Sequence, residues 1–568
     1  MDRPAALFLL TAVLLSPSAV GAQSVEPRAG APATPATVTD PAPVFSVPLV
    51  PKPGYLVLSR DTTFHSFITR IGSNVGAPTL PVVGSWGSDA RHVYSKQQPW
   101  SSDNSLITIE NRSGGSPTPM ILDGTTYAPR YAPCANYSLY DYRWHPSPNH
   151  PHEQINVNSS GTELMWFDVT TCTKTRTWAL PIAVNYGIGS GEGNPSNDGR
   201  FVALGSNVAM FVVDMDPQPP YAPYPNKRVG PVYTFPPCSL TTGAPNSWVI
   251  NSVSVSPSGR YVDISFDSGN DTTYDANRIY DVDPATLALT PHAMASSSLR
   301  CGSFAYRPNG WIFPLKHADM AFDPFDGNED VILGGRSCPG STIGKVVKVR
   351  LRDGQVTALT DPSNEASIYH VSTRNLDRPG WVYVSYYKEP GKRFSDEIVA
   401  VKLDGSHQVE RLAHMHTNAS GCYRCEAHPV PSPDGRRVLF ASNWAQDCTV
   451  CGAASDIKDY VLGLPLGGTL GAGPPAAALA LALALERISP NPATALPAIQ
   501  FTLASWAPAR LALVDVAGRL VLSRDLGSPG PGRHEARLGR GAPAAPGVYW
   551  LRLSQAGRSV TAKVTLVH

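Results

Sequence analysis

Charge is scarce in this chain. Only 16% of its 568 residues are Asp, Glu, Lys or Arg, against the quarter that is usual in soluble domains. The 46 basic and 45 acidic residues leave a formal net charge of +1, which argues against nucleic acid or an anionic membrane surface as a partner. Long apolar runs are missing too. Leu7 to Leu15 and the Ala/Leu run inside Pro474 to Glu486 are each too short to cross a bilayer as a finished helix. Convincing amphipathic helix patterns are absent between the strand signals, which disfavours an α/β fold. Several catalytic signatures are lacking as well. No Gly-x-Ser-x-Gly elbow occurs. "HEQIN" at His152 fails at its last position as a zinc-protease helix, and "GIGSGEG", Gly187 to Gly193, has neither the spacing nor the context of a nucleotide loop.

What the chain does have is punctuation: 55 prolines and 48 glycines. Residues 1–22 read as a secretory signal peptide, with Arg3, the Leu7 to Leu15 run and a small-residue cleavage site ending at Ala22. Residues 23–44 form a Pro/Ala-rich lead-in expected to be disordered. After that comes a recurring unit, a tight turn followed by an alternating strand. "SPDGRRVLFASNW" (Ser432 to Trp444), "SPSGRYVDISFDS" (Ser256 to Ser268), "SNDGRFVALGSN" (Ser196 to Asn207) and "SSDNSLITIEN" (Ser101 to Asn111) are the clear copies. "DPFDGNEDVILGG" from Asp323, "NLDRPGWVYVSYY" from Asn375 and "HPSPNH" from His145 are looser ones. The turn comes from the Asp-Gly type pair, and the β-branched and aromatic residues suit a half-buried strand. The steps between markers are roughly 45 to 67 residues, the scale of a four-stranded propeller blade. Seven markers predict an all-β chain with a seven-bladed β-propeller over residues 45–466, closed by Gly54 to Arg60 pairing near Val461 to Leu464.

The nine cysteines are Cys134, Cys172, Cys238, Cys301, Cys338, Cys422, Cys425, Cys448 and Cys451. In an exported chain they predict disulfides. The last four have the spacing C-x2-C-x22-C-x2-C, which reads either as two cross-bridges or as a zinc site. Neither pair is followed by His, which excludes c-type haem attachment. His414, His416, Glu426 and His428 fall within fifteen positions, and His317 and His370 open two other repeat regions. Loops of separate blades meet at a propeller's central channel, so these six side chains are candidate ligands for a divalent metal, Mn, Ca or Zn. The acidic turn "DPFDGNED" lacks calcium-loop spacing and reads as a hairpin. The Tyr-rich stretch Tyr127 to Trp144 reads as packing under a loop, with sugar stacking as the alternative.

The Ser-Pro-Asp-Gly strands resemble the WD40-like repeats of TolB and of prolyl-oligopeptidase propellers. "YHVSTRN", "RLAHMH" and "EAHPVPSPDGRRVLFASNW" are similar to secreted propellers of the oligogalacturonate-lyase type. That second resemblance implies a Mn²⁺ site and abstraction of a proton α to a uronate carboxylate. The chain departs from its pattern at Val430, where a further His is expected, and at Cys425, where a Gln is expected. Residues 467–487 read as a Gly/Pro/Ala-rich linker. Residues 488–568 carry six or seven short strand patterns, which suggest a small immunoglobulin-like sandwich. Pro490, Asn491 and Pro492, then "DVAGRLV", then Gly547 and Tyr549 in "GVYWLRL", resemble the type A sorting domain of the type IX secretion system and the related FlgD-type domain. The resemblance implies delivery to the outside or the outer-membrane surface, with the secretion machinery as partner. For the propeller, these expectations leave two roles: a non-catalytic module binding a polysaccharide or protein ligand, or a metal-dependent polysaccharide lyase or hydrolase.

Overall fold

The computed structural model describes residues 38–567 except 136–141, 189–191, 218–227, 235–247, 269–275, 294–309, 313–314, 336–344, 362, 464–482, 495, 504–507, 528–531, 537–544 and 556–557. The signal peptide, most of the lead-in, most of the linker and Cys238, Cys301 and Cys338 lie outside these residues.

In six of the seven sheets the turn marker sits before the second strand; in the third it sits before the first, Phe201–Gly205. In the first sheet, Asp89–Arg91 is followed by Leu106–Arg112, Met120–Asp123 and Pro129–Tyr131; in the second, Tyr142–Trp144 is followed by Glu153–Val157, Glu163–Asp168 and Thr173–Ala179. The third is built on Phe201–Gly205 and Ala209–Asp214, with edge pieces Arg228–Val229 and Tyr233–Thr234. The fourth runs Trp248–Val255, Tyr261–Ser268 and Ala276–Val282, the last pairing with both Leu289–Pro291 and Trp311–Ile312. Lys316–Asp323, Glu329–Gly335, Val346–Arg350 and Val356–Ala358 form the fifth; Ile368–Ser372, Trp381–Tyr386, Glu397–Lys402 and Val409–His414 form the sixth. The seventh takes Val430–Pro431, Arg437–Ser442 and Ile457–Gly463 from late in the chain and Phe67–Arg70 from early in it, and it runs on into the first, because Ile457 and Lys458 pair in parallel with Asp89 and Ala90.

The turn chemistry is visible atom by atom. Ser432 Oγ donates to Asp434 Oδ1 at 2.6 Å and accepts from Arg437 N at 3.0 Å. Ser196 does the same with Asp198 (2.6 Å) and Phe201 N (2.9 Å). The Ser thus bridges the turn to the start of the next strand. Gly435 takes the left-handed φ of +65 that the turn needs.

No sheet buries its faces alone. Six apolar clusters each join two neighbouring sheets, first to second through to sixth to seventh, and a seventh cluster joins the last sheet to the first. In that last cluster Leu439 and Val461 pack with Trp86, Trp100 and Ile107. The sheets therefore close on themselves, an arrangement compatible with the seven blades expected. The closing strand differs from the expectation. Phe67–Arg70 pairs with Tyr460–Gly463, while Leu58–Arg60 only adds to its outer edge. The reason is burial: Ile68 is sealed in the core shared with the sixth sheet, whereas Leu58 is exposed.

Residues 38–44 of the lead-in lie along the sixth sheet. Arg411, fully buried and paired with Glu397, donates to Pro43 O at 2.7 Å, and its backbone N–H donates to Val38 O. A buried guanidinium needs these extra acceptors. The acidic turn expected to be a hairpin is one, between Lys316–Asp323 and Glu329–Gly335, and Lys348 and Arg350 pair with its Asp323 and Asp326.

The tail forms two sheets: Ala484–Ser489, Ala498–Leu503 and Gly532–Ala536 in one, Leu520–Gly527, Ala509–Asp515, Gly547–Gln555 and Arg558–Leu566 in the other. Phe501 and Leu503 from the first pack with Leu511, Leu551 and Val564 from the second. The first strand begins four residues before the expected boundary at 488. Asn491 ties the Pro-Asn-Pro segment to the last strand, donating to Lys563 O and accepting from Thr565 N, both at 2.9 Å. Gly547 opens its strand, and Tyr549 is buried in the sandwich core.

Two stability predictions follow. Gly435→Ala forces a β-carbon into positive φ, 2.7 Å from Arg378 Cδ, and should cost about 1 kcal/mol or more; a lowered thermal midpoint is the readout, with Gly435→Asn milder. Burial raises the Glu365 carboxyl to about 7, offset in part by the Tyr386 hydroxyl at 2.8 Å. The native state then holds more protons than the unfolded chain between pH 4.5 and 7, so stability falls as pH rises through that window. Glu365→Gln should remove on the order of 2 kcal/mol of that fall, measured as the difference in denaturant midpoint between pH 5 and pH 8.

A candidate metal centre where the sheets meet

Three neighbouring sheets break register at the same place in their first strand. The break falls between Ile250 and Ser252, between Lys316 and Asp319, and between Ile368 and Val371. The side chains carried there include Asn251, His317 and His370. A bulge leaves a residue out of the ladder and re-aims it. His317 and His428 also hold positive φ, 50 and 43, a conformation uncommon outside glycine and found at constrained sites.

These distortions gather imidazoles. The rings of His317 and His370 have centroids 4.3 Å apart, and those of His370 and His428 are 4.0 Å apart. His370 Nε2 lies 2.5 Å from Glu426 Oε2, and His428 Nε2 lies 3.6 Å from the same oxygen. One donor atom from each of His370, Glu426 and His428 fits within a 4.8 Å span. Burial and the nearby Arg91 charge hold both His370 and His428 well below the usual histidine range, so both rings are neutral. Burial raises the Glu426 carboxyl to about 7, against the pull of Arg91. The contact between His370 and Glu426 is thus a hydrogen bond rather than a strong ion pair. His370 Nδ1 and His428 Nε2 are buried without a hydrogen-bond partner. Two neutral imidazoles, a carboxylate and two orphaned nitrogens suit a divalent transition metal.

A cationic wall backs the cluster. Arg91 donates to Glu426 O at 3.1 Å, to His92 O at 2.9 Å, to Arg424 O and to His428 Nδ1. Because Arg91 holds Nδ1, His428 turns Nε2 toward Glu426. His92 Nδ1 meets Asp459 Oδ1 at 2.7 Å and its Nε2 meets His428 O at 2.7 Å. Tyr94 Oη sits 2.9 Å from His317 Nδ1. A cavity of about 190 Å³ opens beside His317 and Tyr423.

Of the six candidate ligands, His317, His370, Glu426 and His428 are brought together. His414 and His416 are placed elsewhere: His414 Nδ1 lies 3.1 Å from Asp61 Oδ2, and His416 stacks on Trp444 at 4.4 Å. The cysteines bridge within each Cys-x-x-Cys, Cys422 to Cys425 and Cys448 to Cys451, rather than between the two. Cys134 pairs with Cys172 and staples the first sheet to the second. The short bridge at Cys422 fixes the turn that carries Tyr423 into the cavity and Glu426 into the cluster. Reading the sequence missed Arg91, His92, Tyr94 and Asp459. The only hint was the density of polar residues in "DARHVYSK", which has no turn marker beside it. A second trio, His145, His150 and Glu153, meets at the turn of the second sheet.

No family model and no curated protein matches this chain. Among solved structures it is similar to an oligogalacturonate lyase in complex with manganese, at 13% identity over 74% of this chain and 97% of that one, with a TM-score of 0.42. An oligogalacturonate lyase from Vibrio parahaemolyticus gives 11% identity, 72% and 96% coverage and a TM-score of 0.41. A TolB from Agrobacterium tumefaciens gives 18%, 55% and 88%, and 0.27. At these scores the likenesses carry no argument about the site, which stands on its own geometry.

Arg91→Ala should loosen the turn from Cys422 to His428, because two carbonyls and an imidazole lose their donor. The expected result is faster amide hydrogen exchange in that segment, with exchange in the tail sandwich unchanged.

Proposed function

We propose that the hub is a metal-dependent site for an acidic saccharide and that the protein is a polysaccharide lyase. The observation that carries this reading is the convergence of His370, Glu426 and His428 within 4.8 Å, beside His317. A non-catalytic binding module requires no such convergence. His370, Glu426 and His428 would hold the ion. A bound divalent cation would polarise a uronate carboxylate and acidify the adjacent C–H.

His317, which Tyr94 holds at 2.9 Å, would take that proton. The electron pair of the C–H bond forms a carbon–carbon double bond. The glycosidic C–O bond on the neighbouring carbon breaks, and the leaving oxygen takes up a proton. Arg91 keeps the cluster in place through the backbone of residues 424 and 426. Export of the chain by a sorting tail belongs to the same proposal. Three disulfides among the described residues support an oxidising compartment.

The test has two readouts. Calorimetry with Mn²⁺ and Zn²⁺ should show one site that is lost in His370→Ala and His428→Ala. Oligouronides incubated with the Mn²⁺-loaded protein should gain the ultraviolet absorbance of a double bond conjugated to a carboxylate, and His317→Ala should abolish that gain while keeping the metal. Metal retained by the His370/His428 double variant, or no gain with any oligouronide, would overturn the reading.

A further inference from the structure

The cavity beside His317 differs in chemistry from the metal cluster. Its far wall is the fourth sheet, whose bulged Asn251 occupies the position that His317 and His370 hold in the fifth and sixth. Asn277 and Ser265 complete that wall. Lys96 also faces the cavity, but Glu192 on the same lining pairs with its Nζ. Asp263 stands behind, accepting from Asn277 Nδ2 at 2.9 and 3.1 Å. That leaves Asn277 Oδ1 buried with no partner, on a residue only 1% exposed.

The inventory is rich in acceptors. Asn277 Oδ1, the Glu192 carboxylate and the Asn251 amide all accept, and the one ammonium is already neutralised. Burial pushes Asp263 up to about 7, against the pull of Asn277 and Lys96. A carboxylate placed here would meet Glu192 and an amide oxygen with no free cation among the described lining residues. Sugar hydroxyls would instead donate to those acceptors. The volume, about 190 Å³, suits one monosaccharide ring. Tyr423, exposed on the cavity's lining, offers the flat apolar face that pyranose rings stack on.

We infer that the cavity is a subsite for an uncharged, hydroxyl-rich sugar unit next to the uronate at the metal centre. The substrate class is then a saccharide alternating uronate with neutral sugar, not a homopolymer of uronates. The inference rests on the saccharide reading of the hub, but the subsite itself is built from protein groups alone.

The test uses the full mature chain, metal-free and Mn²⁺-loaded, titrated by calorimetry with two probes of equal length. One is a tetrasaccharide alternating galacturonate with rhamnose, and the other is tetragalacturonate. The alternating probe should bind about tenfold tighter in both forms, a difference of about 1.4 kcal/mol. Asn277→Leu, which removes the orphaned acceptor, should erase the preference. Asn251→Asp, which adds a negative charge to the far wall and leaves Asn277 in place, should keep or widen it, so a folding failure in the first variant still leaves a readout. Equal or tighter binding of tetragalacturonate, or no binding of either probe, would overturn the subsite. If Mn²⁺ fails to bind but the preference persists, the metal reading falls and the subsite stands. If Mn²⁺ binds without preference, the reverse holds.

Discussion

The structure depends on one constraint: a four-stranded sheet with two apolar faces must be covered on both. Each of the seven sheets meets this by sharing a core with the sheet before and the sheet after it. An open row would leave two faces wet, at roughly 25 cal/mol for each Å² of apolar surface left exposed. Pairing of Phe67–Arg70 with Ile457–Gly463 removes that penalty by making the first and last parts of the chain one sheet. The disulfide from Cys134 to Cys172 and the buried Arg411–Glu397 pair reinforce a closure that the apolar cores already impose.

Closure has a chemical consequence. Once the sheets are arranged around an axis, the starts of their first strands face one another. The chain uses that meeting point by breaking register in three successive sheets and by holding two histidines at positive φ. Polar side chains that would be costly singly become a mutually satisfied group: His92 with Asp459, Arg91 with three carbonyls, Lys96 with Glu192. What stays unsatisfied, the nitrogens of His370 and His428 and the oxygen of Asn277, faces the hub and its cavity.

Much of the fold was legible because the turns are local. Ser432, Asp434 and Gly435 bond within five residues of one another, so their chemistry is written in the order of the letters. The same holds for Ser196, Asp198 and Gly199. Three of the cluster's residues were legible for a weaker reason: histidine is rare enough that His317, His370 and His428 stand out. His414 and His416 stood out equally and do different work, one against Asp61 and one against Trp444. Arg91, His92 and Tyr94 were not legible, since nothing in "ARHVYSK" says that it passes beside residues more than three hundred positions away.

The sequence by itself determined the all-β character and the repeat with its period. Those follow from turns and alternation, whose range is a handful of residues. The tertiary structure alone decided which strand closes the ring, which cysteines pair and which histidines meet. Those depend on distances across the axis, where residues from opposite ends of the chain become neighbours only after every sheet has found its partner.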